Sequence, residues 1–597
     1  MNFDKNQKEA INFYKGCCNV IATAGSGKTS VLVNRIENLV DKYNVPPQNI
    51  LAITFSKKAK DTIKDKLSLL LPEIYSAVQI ETFHSLGYKI IKRFSNVSYE
   101  ILSYDWKKQK MLTDLSGSDI SDIDKVIQYI SLCKNNLESS QSGDTYGDLF
   151  TKYEKEKEKK HLIDYDDMLT KSYDILKHDK LALEFCQEQF KFILIDEIQD
   201  INKVQYEIVK MIADKYKNLF VVGDIFQNIF EWRGSNNSFV INFNKDWENA
   251  KTINLNTNYR SSKDIVEFSN KFSQYLPEHT FKFYKQPVAN RMSHLPPQYK
   301  RYNNEFDEAK GISKQILQLI SSESYGYKDI AILARTNSQL QTFETVFFDN
   351  HIPCQITNDI SFVDRKEIKI VMSYLKLASD INDNESFEYI YNKPNRWLGK
   401  AFLKEVKHYA SVSHMSLYCA MFKAERNGWK YKNGIEDLCT IISGLKHNNF
   451  ANVGKQVKYI RDKLNIDKFV SSDINNNAID SNRIENLDSL ERIASQYKDV
   501  KEFINYTVSI GKDKMCLQDC VQLLTIHKSK GMEFPVVFLV GMNDGTLPHS
   551  KSHNLNEEKR LAYVAITRAE DELYCSSLKI KNRKRLVESP FIKMMFD

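Results

Sequence analysis

No Cys-X-X-Cys pair occurs among the ten cysteines, which are scattered apart from the neighbours Cys17 and Cys18 and the pair Cys516 and Cys520, and the histidines form no cluster. That pattern excludes a disulfide framework and a zinc-type ligand set, and it predicts reduced thiols in a cytoplasmic protein. A run of about 18 apolar residues, the length of a membrane-spanning helix, is also missing. The opening MNFDKNQKEA has no signal-peptide apolar stretch, so neither secretion nor membrane insertion is expected. Charge of one sign is in little excess: 84 lysines and arginines face 77 aspartates and glutamates, a net +7. Any anionic partner must be held by local patches rather than by the field of the whole chain.

What is present is a chain of 597 residues, 42% of them hydrophobic, enough for several domains at about 150 residues each. Short β-rich apolar runs fall into two blocks. The first comprises residues 19–25, 50–55, 78–84, 190–197 and 219–224; the second comprises 252–255, 329–334, 521–527, 536–542 and 572–578. Helix-like segments between them predict two parallel-sheet α/β domains. Two long gaps in the strand series, about 96–181 and 381–515, read as inserted and mainly helical domains, because compact domains rarely carry structureless loops of that length. Within the first gap, the charge run YEKEKEKK reads as a solvated helix face, and the acids of Asp164-Tyr-Asp-Asp167 as a helix cap.

The strongest motif is Ala22-Thr23-Ala24-Gly25-Ser26-Gly27-Lys28-Thr29, between a β-like run and a helix-like one. It is a phosphate loop with alanine in the first glycine position. Backbone N–H groups and the helix N-terminus cradle phosphates, Lys28 meets the β and γ phosphates, and Thr29 ligates Mg²⁺. Hydrolysis also needs a metal-anchoring acid and a group that activates water. Asp196 and Glu197, at the end of an apolar run, supply both, Asp196 for the metal and Glu197 as general base. Phosphoryl transfer further calls for cations on the developing charge, and Arg260 and Arg568 occupy turn-like settings in the second block. Taken alone, each reads more readily as a surface or salt-bridging arginine.

The series Phe3-Asp-Lys-Asn-Gln7, the phosphate loop, TFSKKAKDTIKDKL, TFHSLG, LIDEIQD, VVGDIFQNIFEWRG, NYRSS, ILARTNSQ, TIHKSKGMEFP and EEKRLAYVAITRA resembles the UvrD/Rep group of superfamily-one DNA helicases in content and order. The resemblance implies two RecA-like motor domains facing each other across ATP, at 1–95 with 182–250 and at 251–380 with 516–597. Each carries a helical insertion, 96–181 and 381–515 respectively. It places Gln7 and Tyr259 on the adenine, Gln227 and Arg260 near the γ-phosphate, Arg568 as arginine finger, Glu533 near the ribose and Arg35 toward the nucleotide. By the same resemblance Phe55, Lys57, Thr82, His84, Trp232, Arg233, Arg335 and His527 contact single-stranded DNA, where aromatic platforms and polar groups form a non-specific track.

The implied activity is a DNA-dependent ATPase and 3′-to-5′ helicase using ATP and Mg²⁺ on single strands and single-strand/duplex junctions, in repair, replication, recombination or phage defence. A translocase that strips bound proteins, the motor subunit of a helicase and nuclease pair, and an ATP-gated regulatory subunit are the alternatives. Intact Lys28, Asp196, Glu197 and Arg568 argue against the last; an RNA track is not excluded by stacking alone. The chain ends soon after Arg568, leaving no room for the nuclease domain some relatives append, so a nuclease or repair protein would be a separate partner. Two departures stand out. Many relatives read GDDDQSIY where this chain reads GDIFQNIF, so Ile225 and Phe226 replace acids and are expected to alter the electrostatics beside the groove. Arg396-Trp-Leu-Gly399 replaces a GIG-like turn that touches duplex DNA in relatives.

Overall fold

The computed structural model describes residues 3–103, 105–116, 123–139, 145–356, 362–425, 431–467, 483–512, 519–552, 554–581 and 584–597. Two six-stranded sheets organise them. The first contains β1 (Cys18–Ala22), β2 (Ile50–Thr54), β3 (Gln79–Thr82), β4 (Phe192–Ile195), β5 (Leu219–Gly223) and β6 (Lys251–Leu255), in the order β3-β2-β4-β5-β1-β6. The second contains β7 (Gln298–Tyr302), β8 (Ile330–Ala334), β9 (Cys354–Ile356), β10 (Val521–Thr525), β11 (Phe534–Leu539) and β12 (Ala569–Leu578), ordered β7-β12-β11-β8-β10-β9. Every pairing within them is parallel.

The continuous apolar runs follow from this arrangement, since a parallel sheet is covered on both faces. Along the strands successive side chains alternate between faces. Val20, Ala52, Leu194 and Val222 enter one core, while Ile53, Ile195 and Val221 enter another that continues through Leu333, Leu524 and Val537 of the second sheet. One apolar core therefore joins the facing halves. β6 lies in the first sheet, with Ile253 opposite Val20, and not in the second block where its sequence position suggested. The parallel partner β1 is far away in sequence, so the pairing left no local signal.

Between β3 and β4 the chain forms helices around a separate core of Leu102, Leu112, Val126, Ile130, Leu149 and Tyr153. Asp164 caps helix Tyr165–His178 in a reciprocal box with Asp167, as the sequence suggested. The charge run does not behave as a simple solvated face: Lys157 is buried in helix Thr145–Lys159 and lies 3.2 Å from Asp164. Lys134 approaches Asp167 to 2.5 Å. Two carboxylates at a buried helix start require cations, and this helix supplies one of them. A second helical core, between β9 and β10, also takes in Ile368, Val371 and Leu375 of helix Lys366–Ser379, upstream of the expected boundary at 381. Among the described residues no helix is long and apolar enough to cross a membrane.

Candidate functional site

The phosphate loop leaves the carboxyl end of β1, where Thr23 donates its N–H to the Leu255 carbonyl of β6 at 3.0 Å. Gly25 and Gly27 have φ of +70° and +80°, a left-handed conformation open to glycine without penalty. A Cβ on Gly25 would also meet Asn258 Oδ1 at 2.6 Å. Helix Lys28–Asp41 starts directly after Gly27, so its free N–H groups and positive dipole end face the loop. Thr29 sits in that first turn. The Lys28 ammonium is 3.9 Å from Glu197 Oε2.

Asp196 and Glu197 follow β4, Glu197 with a left-handed φ of +54°. Burial, then the adjacent Glu197 charge, pushes the Asp196 carboxyl up to about 7. Burial also opposes ionisation of Glu197, but Lys28, Lys530, the Gln199 amide and Arg568 outweigh it and hold that carboxyl at about 2. The pair thus consists of one firmly ionised group and one that a cation would ionise. Gln199, which sequence reading did not single out, joins this pair to the opposite loop: its Nε2 donates to Glu197 at 2.6 Å and its Oε1 accepts from the Asp224 N–H at 3.0 Å.

Gln227 continues the chain of contacts. Its Nε2 donates to Asp224 Oδ2 at 2.8 Å, and its Oε1 accepts from Arg568 Nη2 at 3.3 Å. Arg568 is fully buried; burial first and Arg260 second lower its guanidinium to about 9, so it stays charged at neutral pH. Arg260 pairs with Glu533 at 2.7 Å and donates to the Thr567 carbonyl at 3.0 Å. Glu533 therefore faces Arg260. Tyr259 is joined to Gly25 through its backbone N–H, 2.9 Å from the carbonyl, and Gln7 Nε2 donates to the Ser26 carbonyl at 3.0 Å.

Arg35 does not join this group. It donates to the Tyr14 carbonyl at 3.2 Å and lies over the Phe220 ring at 4.3 Å. Phe220 pairs with Cys18, at the far end of β1 from the loop. Seven helical residues beyond Lys28 carry a side chain about 10 Å along the axis; spacing alone did not reveal that direction.

All eight expected DNA-contacting residues line two cavities that share Trp232 and Gln128. Phe55, Lys57, Thr82, His84, Trp232 and Arg233 border one, and Trp232, Arg335 and His527 border the other. Trp232 is 44% exposed, with the Arg233 guanidinium 4.5 Å from its ring. Arg335 is forked onto Glu558, with contacts of 3.1 and 2.7 Å. Burial, then Arg335, lowers His527 to about 4, so its ring is neutral at pH 7. Asp164 and Asp166 line the first cavity as well, and the groove is not uniformly basic.

Besides Gln199, two further residues of the site went unrecognised although both lie in quoted motifs. Phe230 stacks on Phe55 at 5.1 Å and lies 6.4 Å from His527. Lys530, three residues after His527, donates to Asp200 at 2.6 Å and to the Gln227 carbonyl. The expectation for Ile225 and Phe226 is corrected. Both are completely buried, and Phe226 packs on Tyr284 and Tyr563 at 4.6 and 5.4 Å. They fill the apolar core between the halves and border neither of the two groove cavities.

Comparison with known proteins agrees with this arrangement. Residues 3–248 match the UvrD/REP helicase N-terminal domain, and residues 253–579 match the UvrD-like helicase C-terminal domain. The chain is 31% identical over 622 residues to the ATP-dependent DNA helicase PcrA of Staphylococcus epidermidis, covering 96% of this chain and 83% of that protein. It is 32% identical over 614 residues to the ATP-dependent DNA helicase PcrA of Bacillus subtilis, covering 96% and 82%. PcrA of Staphylococcus aureus is 31% identical over 611 residues, with 96% and 83% covered. With both domain matches spanning nearly the whole chain, this protein belongs to the UvrD-like helicase family.

Proposed function

We propose that the chain is an ATP-driven motor that moves 3′ to 5′ along single-stranded DNA and separates duplex strands ahead of it. The observation that carries this reading is one short loop. Gln227 touches Arg568 beside the phosphate cradle, and Trp232, five residues on, is exposed in the groove. A change in nucleotide state at one end is thereby tied to grip on a base at the other.

Energetics favours a motor over a passive clamp. Opening one base-pair step costs about 1.4 kcal/mol, and one aromatic stack returns about 1–3 kcal/mol. Binding alone would stall after little melting. In the proposed cycle ATP draws Arg260 and Arg568 onto the γ-phosphate, Gln227 reports that contact, and hydrolysis releases it as bases shift across Trp232. Glu197, ionised beside Lys28, orients and activates the attacking water. Mg²⁺ fits the oxygen donors of Thr29 and Asp196; when bound it neutralises charge on the phosphates.

In this reading residues 1–95 with 182–250, and 251–380 with 516–597, act as the two motors, adjusted for β6 and for helix Lys366–Ser379. The segments 96–181 and 381–515 serve as accessory domains. The turn at 396–399 supports a second reading as a single-strand translocase that displaces bound proteins. Arg396 is engaged by Asp437 at 2.5 Å and by the Lys393 carbonyl at 3.0 Å, so it is not free to meet duplex phosphate. A nuclease or repair protein as a separate partner is compatible with either reading.

ATPase assays with and without single-stranded DNA, run beside strand separation on duplexes with a 3′ or a 5′ tail, test the proposal. Stimulation by DNA and separation of the 3′-tailed duplex alone is the expected result. Efficient opening of the 5′-tailed duplex would reverse the polarity, and ATPase without separation would select the translocase.

A further inference from the structure

Beside the phosphate loop, Asp4 joins the start of its own helix to Tyr259, and both of its partners reach the loop. The residue precedes helix Lys5–Asn12 and caps it: its Oδ1 accepts from the Gln7 N–H at 2.7 Å, and Gln7 Oε1 accepts from the Asp4 N–H at 3.0 Å. The other carboxylate oxygen, Oδ2, accepts from the Tyr259 hydroxyl at 2.8 Å. Gln7 Nε2 reaches the Ser26 carbonyl, and the Tyr259 backbone N–H reaches the Gly25 carbonyl. Tyr259 is thus suspended between the loop, through its backbone, and Asp4, through its hydroxyl.

These contacts fix the Gln7 amide. Its oxygen faces an N–H and its nitrogen faces a carbonyl, so a flipped amide would set like against like at both ends. The remaining lone pair and the remaining N–H form an acceptor and donor pair. That pair matches the edge of adenine, which offers the N6 amino group and N7, and mismatches guanine, whose O6 and N7 both accept.

We infer that Asp4 is a positioning residue for base recognition: one carboxylate holds the reading amide of Gln7 and the stacking ring of Tyr259 in register, making the pocket selective for adenine over guanine. The inference rests on the proposal that ATP occupies this cleft. The carboxylate is suited to the task. Burial opposes its ionisation, but hydrogen bonds from the Gln7 backbone and the Tyr259 hydroxyl more than compensate and hold it below its ordinary range.

The test is steady-state hydrolysis of ATP and GTP by the full chain and its Asp4→Ala, Asp4→Asn, Tyr259→Phe and Asp4→Ala/Tyr259→Phe variants. Asp4→Ala, which removes the carboxylate from both the Gln7 N–H and the Tyr259 hydroxyl, is expected to raise KM for ATP about ten-fold or more with kcat little changed. The ATP-over-GTP ratio of kcat/KM should fall by about the same factor. Asp4→Asn, which keeps an accepting oxygen, restores most of both. The double variant should be no worse than the poorer single variant, because the two side chains act as one unit. Inorganic tripolyphosphate, which carries no base, should inhibit Asp4→Ala and wild type alike. An active Asp4→Ala protein with unchanged KM and selectivity overturns the inference, as do additive single effects or a matching loss of tripolyphosphate inhibition. A wild-type chain that hydrolyses neither nucleotide overturns the ATPase reading itself, and the inference with it.

Discussion

Replacing Arg568 by alanine is expected to slow DNA-stimulated ATP hydrolysis by about 10³-fold or more, the scale of removing an arginine finger, while ATP still binds. The side chain is held for this role. It donates to the Val564 and Met532 carbonyls at 3.1 and 3.0 Å and to Thr567 Oγ1 at 3.2 Å, besides Gln227. These contacts orient the guanidinium, and in the proposed cycle ATP exchanges some of them, that to Gln227 first, for the γ-phosphate. Lysine is not expected to rescue the loss, since a single ammonium cannot reproduce the fork. Arg568→Met preserves the apolar stem and separates lost charge from lost packing. Single-turnover hydrolysis in a rapid-quench instrument, beside nucleotide affinity and a thermal melt, reads the effect. A folded variant within about ten-fold of wild type would remove Arg568 from the chemistry, since ten-fold is only about 1.4 kcal/mol.

The second large effect is expected at Trp232. Its alanine variant should bind single-stranded DNA roughly 5- to 150-fold more weakly, corresponding to one lost base stack. No phosphate contact is removed, so the salt dependence of binding should keep its slope. Arg233→Ala should do the opposite, weakening binding less and reducing the slope by about one. Fluorescence titrations at several salt concentrations separate the two. A Trp232→Ala protein with wild-type affinity would mean that the exposed ring is not a base platform.

Much of the nucleotide half could be read in the sequence, because its chemistry is contiguous. The loop from Ala22 to Thr29 and the Asp196–Glu197 pair each follow a strand directly, so local pattern and tertiary position coincide. The groove residues were nameable only through motif order, and the two shared-wall cavities bring them together. What stayed hidden depended on long-range packing. Arg35 sits on the same helix as Lys28, but helical spacing does not tell which end of the sheet a side chain faces. β6 joined the first sheet through β1, a partner more than 200 residues away. Lys157 looked solvated until the buried acids of another helix were in place. Phe226 shows the same limit, since its position in an apolar core shared by two sheets is not encoded in its own neighbours.

Directed movement is the central claim, and arrival time measures it most directly. Single strands of increasing length, labelled with a fluorophore at either the 5′ or the 3′ end, are preloaded with protein and mixed with ATP. The 5′-labelled strands should show a signal whose lag lengthens with strand length, and the 3′-labelled strands should show none. A lag independent of length, or one that grows only with the 3′ label, would contradict a 3′-to-5′ motor.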